Sequence, residues 1–561
     1  MDVRSCNIVI GGEAGQGLVT VGQLLSKILV RSGYSIVVTQ SYQSRIRGGH
    51  NTFAVRVSAD RLEAPVEPID LLVALNEETV HLHQGEMSSD GLVVVDGVFG
   101  ITAEHCLNVP FEKLAGEEYI NTAALGILCA LLGLDLGMAA TMLEEVFGKK
   151  HPETMEDNRS ALTKAFEWTR GHPEFLRKLP RVKRVKKRLM LDGNQAIALG
   201  AVSAGVRFCS FYPMTPSTSV SLNLIGMAER MGLVVEQAED EIAAINMAIG
   251  ASYAGVPAMV ATSGGGFALM VEGVSLAAMT ETPIVVVVAQ RPGPATGLPT
   301  RTEQADLEFV LHAGHGEFPR AIFAPGTVED CFHLTRQAFE LAEKYQSPMF
   351  VLTDQFLADS FRAVEPFDVE NLSWVHPGAD PATIEVPYRR HAATEDGVSP
   401  RLLPGRSTNL VVTDSDEHTE DGHITEDLDA RKRLVAKRLK KGEGILSEVI
   451  QPEFEGDDSP DLLLVSWGST AGAVKEAASM LRASGGSVGT LHFKQVWPLV
   501  PDHFLNRLKK VRKVVCVEGN AQGQLARLIR RETGFEITKK ISRYDGLPIT
   551  TEYILRGLET I

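Results

Sequence analysis

At 561 residues the chain is longer than one ordinary core can hold, and about three or four domains are expected. Its 44% apolar and 22% charged residues are those of a globular protein, with no apolar stretch long and isolated enough to span a bilayer. A formal charge of −16 argues against general nucleic-acid binding, which needs a surplus of Lys and Arg to meet phosphate.

The chain opens MDVRSCNIVIGG, an acid and a glycine-bounded strand where a secretory signal would need a basic end and a longer apolar region, so a cytoplasmic protein is expected. Strand NIVIGG, a glycine turn and the helical pattern LVTVGQLLSKILVRSG are followed by strands YSIVVTQS, DLLVALN and GLVVVDG. This alternation predicts a parallel, doubly wound α/β domain over residues 1–175. Its turn IGGEAGQG, Ile10 to Gly17, would expose amides at a helix start and could hold phosphate. The spacing is neither G-x-G-x-x-G nor a P-loop, and tight strand–helix contact explains the glycines equally well. Further on, SYQSRIRGGHN places Arg45 and Arg47 on a glycine-bounded loop, able to bind a carboxylate or phosphate, face solvent or lie at an interface.

A basic run, RKLPRVKRVKKR, forms a linker over 176–192; it carries no stacking aromatics and reads as a solvated connection. A second α/β domain, 193–365, begins with DGNQAIALGAVSAGVRFCSFYP. It contains TPIVVVVA, Thr282 to Ala289, a short β-branched run typical of a buried parallel strand. Residues 366–460 lose this rhythm and read as an irregular connecting module, with TDSDEHTEDGHITED before the basic helix ARKRLVAKRLKKGEG. His418 and His423 lie among acids there, but at no common metal-ligand spacing, so a solvated acidic loop and no metal site are expected. The rhythm restarts over 461–561 with DLLLVSWGST, SVGTLHFKQVWP and KVVCVEGN. Six cysteines, at 6, 106, 129, 209, 331 and 516, lie far apart without a C-x-x-C pair, so a disulfide framework, a structural zinc or an iron–sulfur cluster held by this chain alone is not expected.

The second domain holds most of the chemistry. SFYPMTPSTSV, Ser210 to Val220, follows a strand with two prolines, a tyrosine and several hydroxyls. Glu241 opens the helix EIAAINMAIGASYAG behind Glu236, Glu239 and Asp240. Acids at a helix start are favoured by the macrodipole, but the small apolar residues that follow predict a buried helix with a desolvated carboxylate at its mouth. The next strands end in TSGGGF and in AQRPGPATGLPTR, which carries Arg291 and Thr300. Ligands of open α/β sheets bind beyond the carboxyl ends of the strands, and these ends collect hydroxyls, an acid, bare amides and a guanidinium.

These segments resemble a known family, the 2-oxoacid:ferredoxin oxidoreductases, and in particular the alpha subunit of the 2-oxoglutarate type with a gamma domain fused at its N-terminus. GGEAGQG and SYQSRIRGG are similar to the gamma domain; YPMTPST, EDEIAAINMAIGASYAG, TSGGGFALM, QRPGPATGLPTRTEQADL and HGEFPR to the thiamine-pyrophosphate pyrimidine domain; DEHTEDGHITED and EGNAQGQLARLIR to later segments. The resemblance implies several doubly wound α/β domains, including a thiamine-diphosphate-binding (pyrimidine-type) fold over 193–365 and a transketolase C-terminal-like domain over 461–561. It further implies that Glu241 is catalytic and bonds to the aminopyrimidine ring nitrogen, with Tyr212, Pro213, Ser263, Gly264 and Phe267 also contacting the cofactor. Thr215, Arg291 and Thr300 are implied to contact the 2-oxoacid, Arg291 through the substrate's carboxylate.

The implied reaction is CoA-dependent oxidative decarboxylation to an acyl-CoA and CO₂, with electrons passing to ferredoxin, or its reverse as a carboxylation. The chain shows no G-D-G…N signature for Mg²⁺–diphosphate and no cluster cysteines, and the resemblance implies that Mg²⁺ and a [4Fe–4S] centre belong to a separate beta subunit, in an (αβ)₂ assembly without nucleic acid or membrane. 2-Oxoglutarate is the implied substrate. Pyruvate or a branched-chain 2-oxoacid would use the same core, and a transketolase or 2-oxoacid dehydrogenase subunit, or a non-catalytic nucleotide-binding regulator, are the other readings.

Overall fold

Strand Ser5–Glu13 buries every residue from Cys6 to Gly12, as a central strand does, and around it a computed structural model builds an eight-stranded sheet. The structure describes residues 5–43, 49–102, 105–148, 151–183 and 185–561; Arg45 and Arg47 lie outside the described residues. The chain divides into two units: residues 1–192 with 359–367 and 550–552, and the remainder.

In the first unit the strand order is Cys106–Val109, Met87–Asp96, Ile69–Ala74, Ser5–Glu13, His50–Ser58, Ser35–Ser41, Arg362–Val364, Leu189–Leu191. The first four strands are parallel; the rest pair antiparallel. The expectation of a wholly parallel sheet is therefore corrected. His50–Ser58 runs back between Ser5–Glu13 and Ser35–Ser41, in register Ser5↔Ser58 and Ser35↔Ser58, burying Phe53, Val55 and Val57 on one face. Its period-two alternation was legible in HNTFAVRVS. The glycine turn after Ser5–Glu13 has Gly15 and Gly17 at positive φ and leads into the helix Leu18–Arg31, whose start has no side-chain cap. Gly17 stands at positive φ, which favours glycine, and a Cβ there would also press to 2.5 Å from Asn121 Nδ2.

The second unit carries two sheets. A seven-stranded sheet runs Gln495–Trp497, Ala321–Phe323, Pro348–Asp354, Ile284–Gln290, Ala258–Thr262, Phe208–Phe211, Val234–Gln237. It is parallel except for its first strand, which pairs antiparallel with Ala321–Phe323. Ile284–Gln290 is buried at every position, as its β-branched run predicts for a central strand. The five-stranded sheet is ordered Glu453–Glu455, Val488–Phe493, Leu462–Trp467, Lys513–Glu518, Lys539–Ser542. One apolar core, including Val286, Phe350, Trp467, Phe493 and Leu525, joins the two sheets. Helices α1 (Glu241–Tyr253), α2 (Gly264–Met279) and α3 (Leu307–His312) surround the carboxyl ends of the seven-stranded sheet's strands, and α4 (Leu428–Ser447) closes the irregular segment that precedes it. Among the described residues no helix is long and apolar enough to cross a membrane.

Two expectations change here. Helix α1 buries Ala244, Ile245, Ala248 and Ile249 but leaves Ile242 and Met247 about half exposed at 50% and 41%, so it is not a wholly buried helix in this chain. The acidic segment before α4 is not simply solvated: His418 is fully buried with its ring centroid 4.0 Å from that of His391, and Glu417 pairs with Arg431 and Arg438 of α4. A basic helix laid onto a body needs carboxylates beneath it, and this segment supplies one.

Candidate active site at the strand ends

The Tyr212–Ser217 turn leaves the carboxyl end of Phe208–Phe211 with Tyr212 and Pro213 exposed and Pro216 buried. It is held from three sides. Asn194 Nδ2 donates to the carbonyl of Pro216 at 2.8 Å, Ser217 Oγ donates to the carbonyl of Met214 at 2.7 Å, and Arg291 Nη1 donates to the carbonyl of Thr215 at 2.7 Å. Arg291 is thereby tied to the turn by one N–H, leaving the other donors of its guanidinium for a ligand.

Glu241 stands at the first position of α1, with Asp240 capping the helix through the N–H of Ala243 at 2.7 Å. Only 4% of Glu241 is exposed, and a Cβ on Gly266 would lie 2.6 Å from its Oε1, so α2 meets the carboxyl with bare backbone. Ser263 is fully buried at the N-cap of α2, but its hydroxyl makes no cap bond and has no hydrogen-bond partner among the described residues. An orphaned buried hydroxyl beside a glycine-lined helix start offers a polar group and bare amides to a ligand. Phe267 is fully buried and meets Phe309 and Phe350 edge-on, with centroids 5.3 and 5.8 Å away, so its ring braces the start of α2. Thr300, nine-tenths buried, lies on the loop after Arg291, where Gly297 must be glycine because any Cβ would strike the carbonyl of Pro292.

That loop is laced to the five-stranded sheet. Gln304 Nε2 donates to the carbonyl of Trp467 at 3.0 Å, its Oε1 accepts the N–H of Gly519 at 2.8 Å, and the Gln304 backbone carbonyl accepts from Asn520 Nδ2 at 3.1 Å. Gln524 Nε2 donates to the carbonyl of Ala305 at 2.6 Å. The segment EGNAQGQ thus acts as a clamp on the site loop. Sequence reasoning missed two acids on this loop. Burial pushes Asp306 up to about 6, with Arg291 opposing, and pushes Glu303 up to about 6, with Asp306 adding to the rise. Burial also draws Arg291 below the usual guanidinium range, with Asp306 opposing.

Glu241, Ser263, Gly264, Thr215 and Arg291 therefore occupy adjacent strand ends. A buried carboxyl, an unpartnered hydroxyl and bare helix-start amides fit a flat heteroaromatic ring that carries both donors and acceptors, and Arg291 fits a carboxylate.

Comparison with known proteins agrees with this inventory. Three family models match in succession: pyruvate ferredoxin/flavodoxin oxidoreductase at 7–168, the thiamine-diphosphate-binding region of pyruvate flavodoxin/ferredoxin oxidoreductase at 199–437, and pyruvate:ferredoxin oxidoreductase core domain II at 460–554. A 2-oxoacid:ferredoxin oxidoreductase subunit alpha from a Sulfolobus species is 31% identical over 98% of this chain and 96% of its own length. The 2-oxoglutarate oxidoreductase subunit KorA of Mycobacterium tuberculosis is 30% identical over 98% and 91%. Among solved structures, the 2-oxoglutarate:ferredoxin oxidoreductase of Magnetococcus marinus, with 2-oxoglutarate, coenzyme A and succinyl-CoA bound, superposes with a TM-score of 0.92 at 31% identity, covering 99% of each chain.

Proposed function

The chain belongs to the 2-oxoacid:ferredoxin oxidoreductase alpha subunits, enzymes of oxidative 2-oxoacid metabolism, and we propose that it forms the pyrimidine-binding half of a thiamine-diphosphate site that converts 2-oxoglutarate and CoA to succinyl-CoA and CO₂. The observation that carries this reading is the buried Glu241 carboxyl facing the bare backbone of Gly266, at the start of the helix that the orphaned hydroxyl of Ser263 opens, with Arg291 at the end of the strand next to Ser263's. In this site Glu241 holds a proton at the ring nitrogen of the aminopyrimidine. Ser263 and the backbone of Gly264 engage the ring's polar edge, Tyr212 and Pro213 wall it, and Phe267 supports the helix beneath. Bound thiamine diphosphate would supply the electron sink for decarboxylation. Arg291, oriented by the carbonyl of Thr215, binds the substrate's carboxylate, with the Thr215 hydroxyl and Thr300 completing the substrate wall.

The diphosphate, its Mg²⁺ and a [4Fe–4S] cluster belong, in this reading, to a beta subunit in an (αβ)₂ cytoplasmic assembly that passes electrons singly to ferredoxin and can run as a carboxylase. Two observations support the partner. The apolar residues Ile242, Met247 and Leu269 are exposed on α1 and α2. The cysteines, by contrast, are dispersed and unsuited to a cluster: burial pushes the thiols of Cys129 and Cys209 up to about 12. We assign residues 1–175 as the gamma-type domain, 176–192 as linker, 193–365 as the pyrimidine domain, 366–460 as a connecting module and 461–561 as the transketolase C-terminal-like domain.

The test is anaerobic co-purification with the candidate beta chain, then CoA-dependent reduction of a one-electron dye with 2-oxoglutarate and with pyruvate. Turnover of 2-oxoglutarate that vanishes without thiamine diphosphate is expected. Preference for pyruvate would reassign the substrate, and no turnover from a complex loaded with cluster and cofactor would refute the chemistry.

A further inference from the structure

An open α/β sheet binds its ligand beyond the carboxyl ends of its strands, at the point where the strand order reverses. In the five-stranded sheet that point lies between Leu462–Trp467 and Lys513–Glu518, since the chain leaves the first strand for Val488–Phe493 on its far side and returns later to the second. A glycine follows each strand there, Gly468 and Gly519, and the space that they leave holds a side chain of the site loop. A Cβ on Gly468 would lie 2.7 Å from Gln304 Nε2, and one on Gly519 would lie 3.2 Å from Gln304 Cγ. Gln304 is only 2% exposed. Its amide bridges the two strand ends through the Trp467 carbonyl and the Gly519 N–H, and its own N–H donates to the Gly519 carbonyl at 2.6 Å.

The floor of this crevice is satisfied from within. The buried Glu518 carboxylate accepts Trp467 Nε1 at 3.0 Å, Asn520 Nδ2 at 2.9 Å and the N–H groups of Leu525 and Ala526 at 2.9 and 3.1 Å. Around Gln304 the returning limb of the loop is fastened at successive residues. The N–H of Thr302 donates to the carbonyl of Gly546 at 3.2 Å; the Ala305 carbonyl and the Glu308 N–H are bridged by Gln524, at 2.6 and 3.0 Å. The N–H of Asp306 donates to Gln290 Oε1 at 2.9 Å, which ties the end of the loop to the residue just before Arg291. Thr300 stands two residues before this fastened limb.

Resting on the assignment of Arg291 and Thr300 to the 2-oxoacid, we propose that the ligand of the five-stranded sheet is the site loop itself. Gln304 is the positioning residue through which that sheet holds Thr300 and Arg291 ready for the substrate. A loop of this length ordered before binding spares the substrate the entropy of ordering it, so the clamp acts on substrate affinity. Among the described residues Glu241 and Ser263 make no hydrogen bond to the clamp, so it acts on the 2-oxoacid and not on thiamine diphosphate.

The experiment is steady-state kinetics of the reconstituted holoenzyme carrying Gln304→Met, which keeps the length of the side chain and removes both amide bonds. KM for the 2-oxoacid should rise about fivefold to thirtyfold, with kcat changed much less. The thiamine diphosphate concentration for half-maximal activity and the KM for CoA should stay within about twofold of wild type. Gln524→Met should shift the same KM in the same direction, and it carries the test should Gln304→Met fail to assemble. Gln346→Met is the control for general loosening: that buried amide bonds the Ser399 carbonyl at 2.6 Å and Arg390 at 2.9 Å, away from the loop, and KM should hold. An unchanged KM in the clamp variant that assembles, a thiamine diphosphate requirement that rises as far as KM, or an equal KM shift in Gln346→Met overturns the proposal. A loaded wild-type complex that turns over no 2-oxoacid overturns the assigned reaction, and is distinguishable because the wild type alone shows it.

Discussion

At the scale of single residues, the site depends on where side chains are withheld as much as on where they are present. Gly266 is the clearest case. Alanine favours a helix over glycine by about 1 kcal/mol, yet its methyl would meet Thr262 Oγ1 and stand 2.6 Å from Glu241 Oε1. Gly266→Ala is therefore expected to lower the melting temperature, since overpacking by about 1–3 kcal/mol outweighs the gain in helix propensity, and to lower kcat by about tenfold to a hundredfold, measured on the same preparation. Glu241→Gln keeps the shape but removes the carboxylate, and kcat should fall by about 10²–10⁴ with the fold retained. Unchanged turnover in this variant would remove Glu241 from the chemistry. Glu241 and Arg291 stand at the strand ends where their residue types were expected to gather, because ligands of an α/β sheet bind beyond the carboxyl ends of its strands, whereas the role proposed for Thr215 came from the family resemblance. Asp306 was not legible: an Asp before an apolar helix reads as an N-cap, and only coordinates show that it declines that role.

At the scale of elements, α4 illustrates how a charge run can mislead. Its Lys437 and Lys441, one turn apart, are both buried, and both reach Glu281, Lys437 with Nζ 2.6 Å from Oε1. His391 Nδ1 lies 3.0 Å from the same oxygen, and Arg390 Nη2 donates to the Glu281 carbonyl at 2.7 Å. Two buried lysines share one carboxylate, with His391, drawn down to about 3 by burial, standing neutral beside them, so the two kinds of deletion are not equivalent. Glu281→Ala strands the cations and should cost about 3–5 kcal/mol, whereas Lys441→Met, which removes surplus charge, should cost far less; denaturant unfolding of the two variants measures the difference. Burial pulls the Lys441 ammonium down to about 7. Between about pH 7 and the ordinary lysine range the unfolded chain then holds a proton that the folded chain has given up, so this group makes stability rise with pH. Thermal melts at about pH 7 and about pH 9 should show that rise weakened in Lys441→Met. The sequence displayed the helix and its charge but not its inner face, because burial of a lysine depends on a partner more than 150 residues away, Glu281.

At the scale of the whole molecule, the second unit exposes Ile242 and Met247 on α1, Leu269 on α2, and Leu222 and Ile225 on the helix Thr218–Met231, an amount of bare apolar surface expected of a subunit whose partner covers it. Ile242→Glu should abolish co-purification with the beta chain while leaving the melting temperature of the isolated chain within about 2 °C, since the side chain is already half in water. Retained assembly would exclude this face from the interface. Local signals, namely hydrophobic period, β-branched runs and proline- and glycine-rich turns, each set by neighbours in the chain, were sufficient for the α/β class and for most of the long strands, though not for His50–Ser58 or Pro348–Asp354. The antiparallel return of His50–Ser58, the strand Gln495–Trp497 that joins the seven-stranded sheet, the EGNAQGQ clamp on the site loop, and the state of Asp306 and Glu281 were decided only by tertiary structure. Each depends on groups distant in sequence meeting in a low-dielectric interior, where the free energy of a charge or an unmade hydrogen bond is set by what stands opposite it.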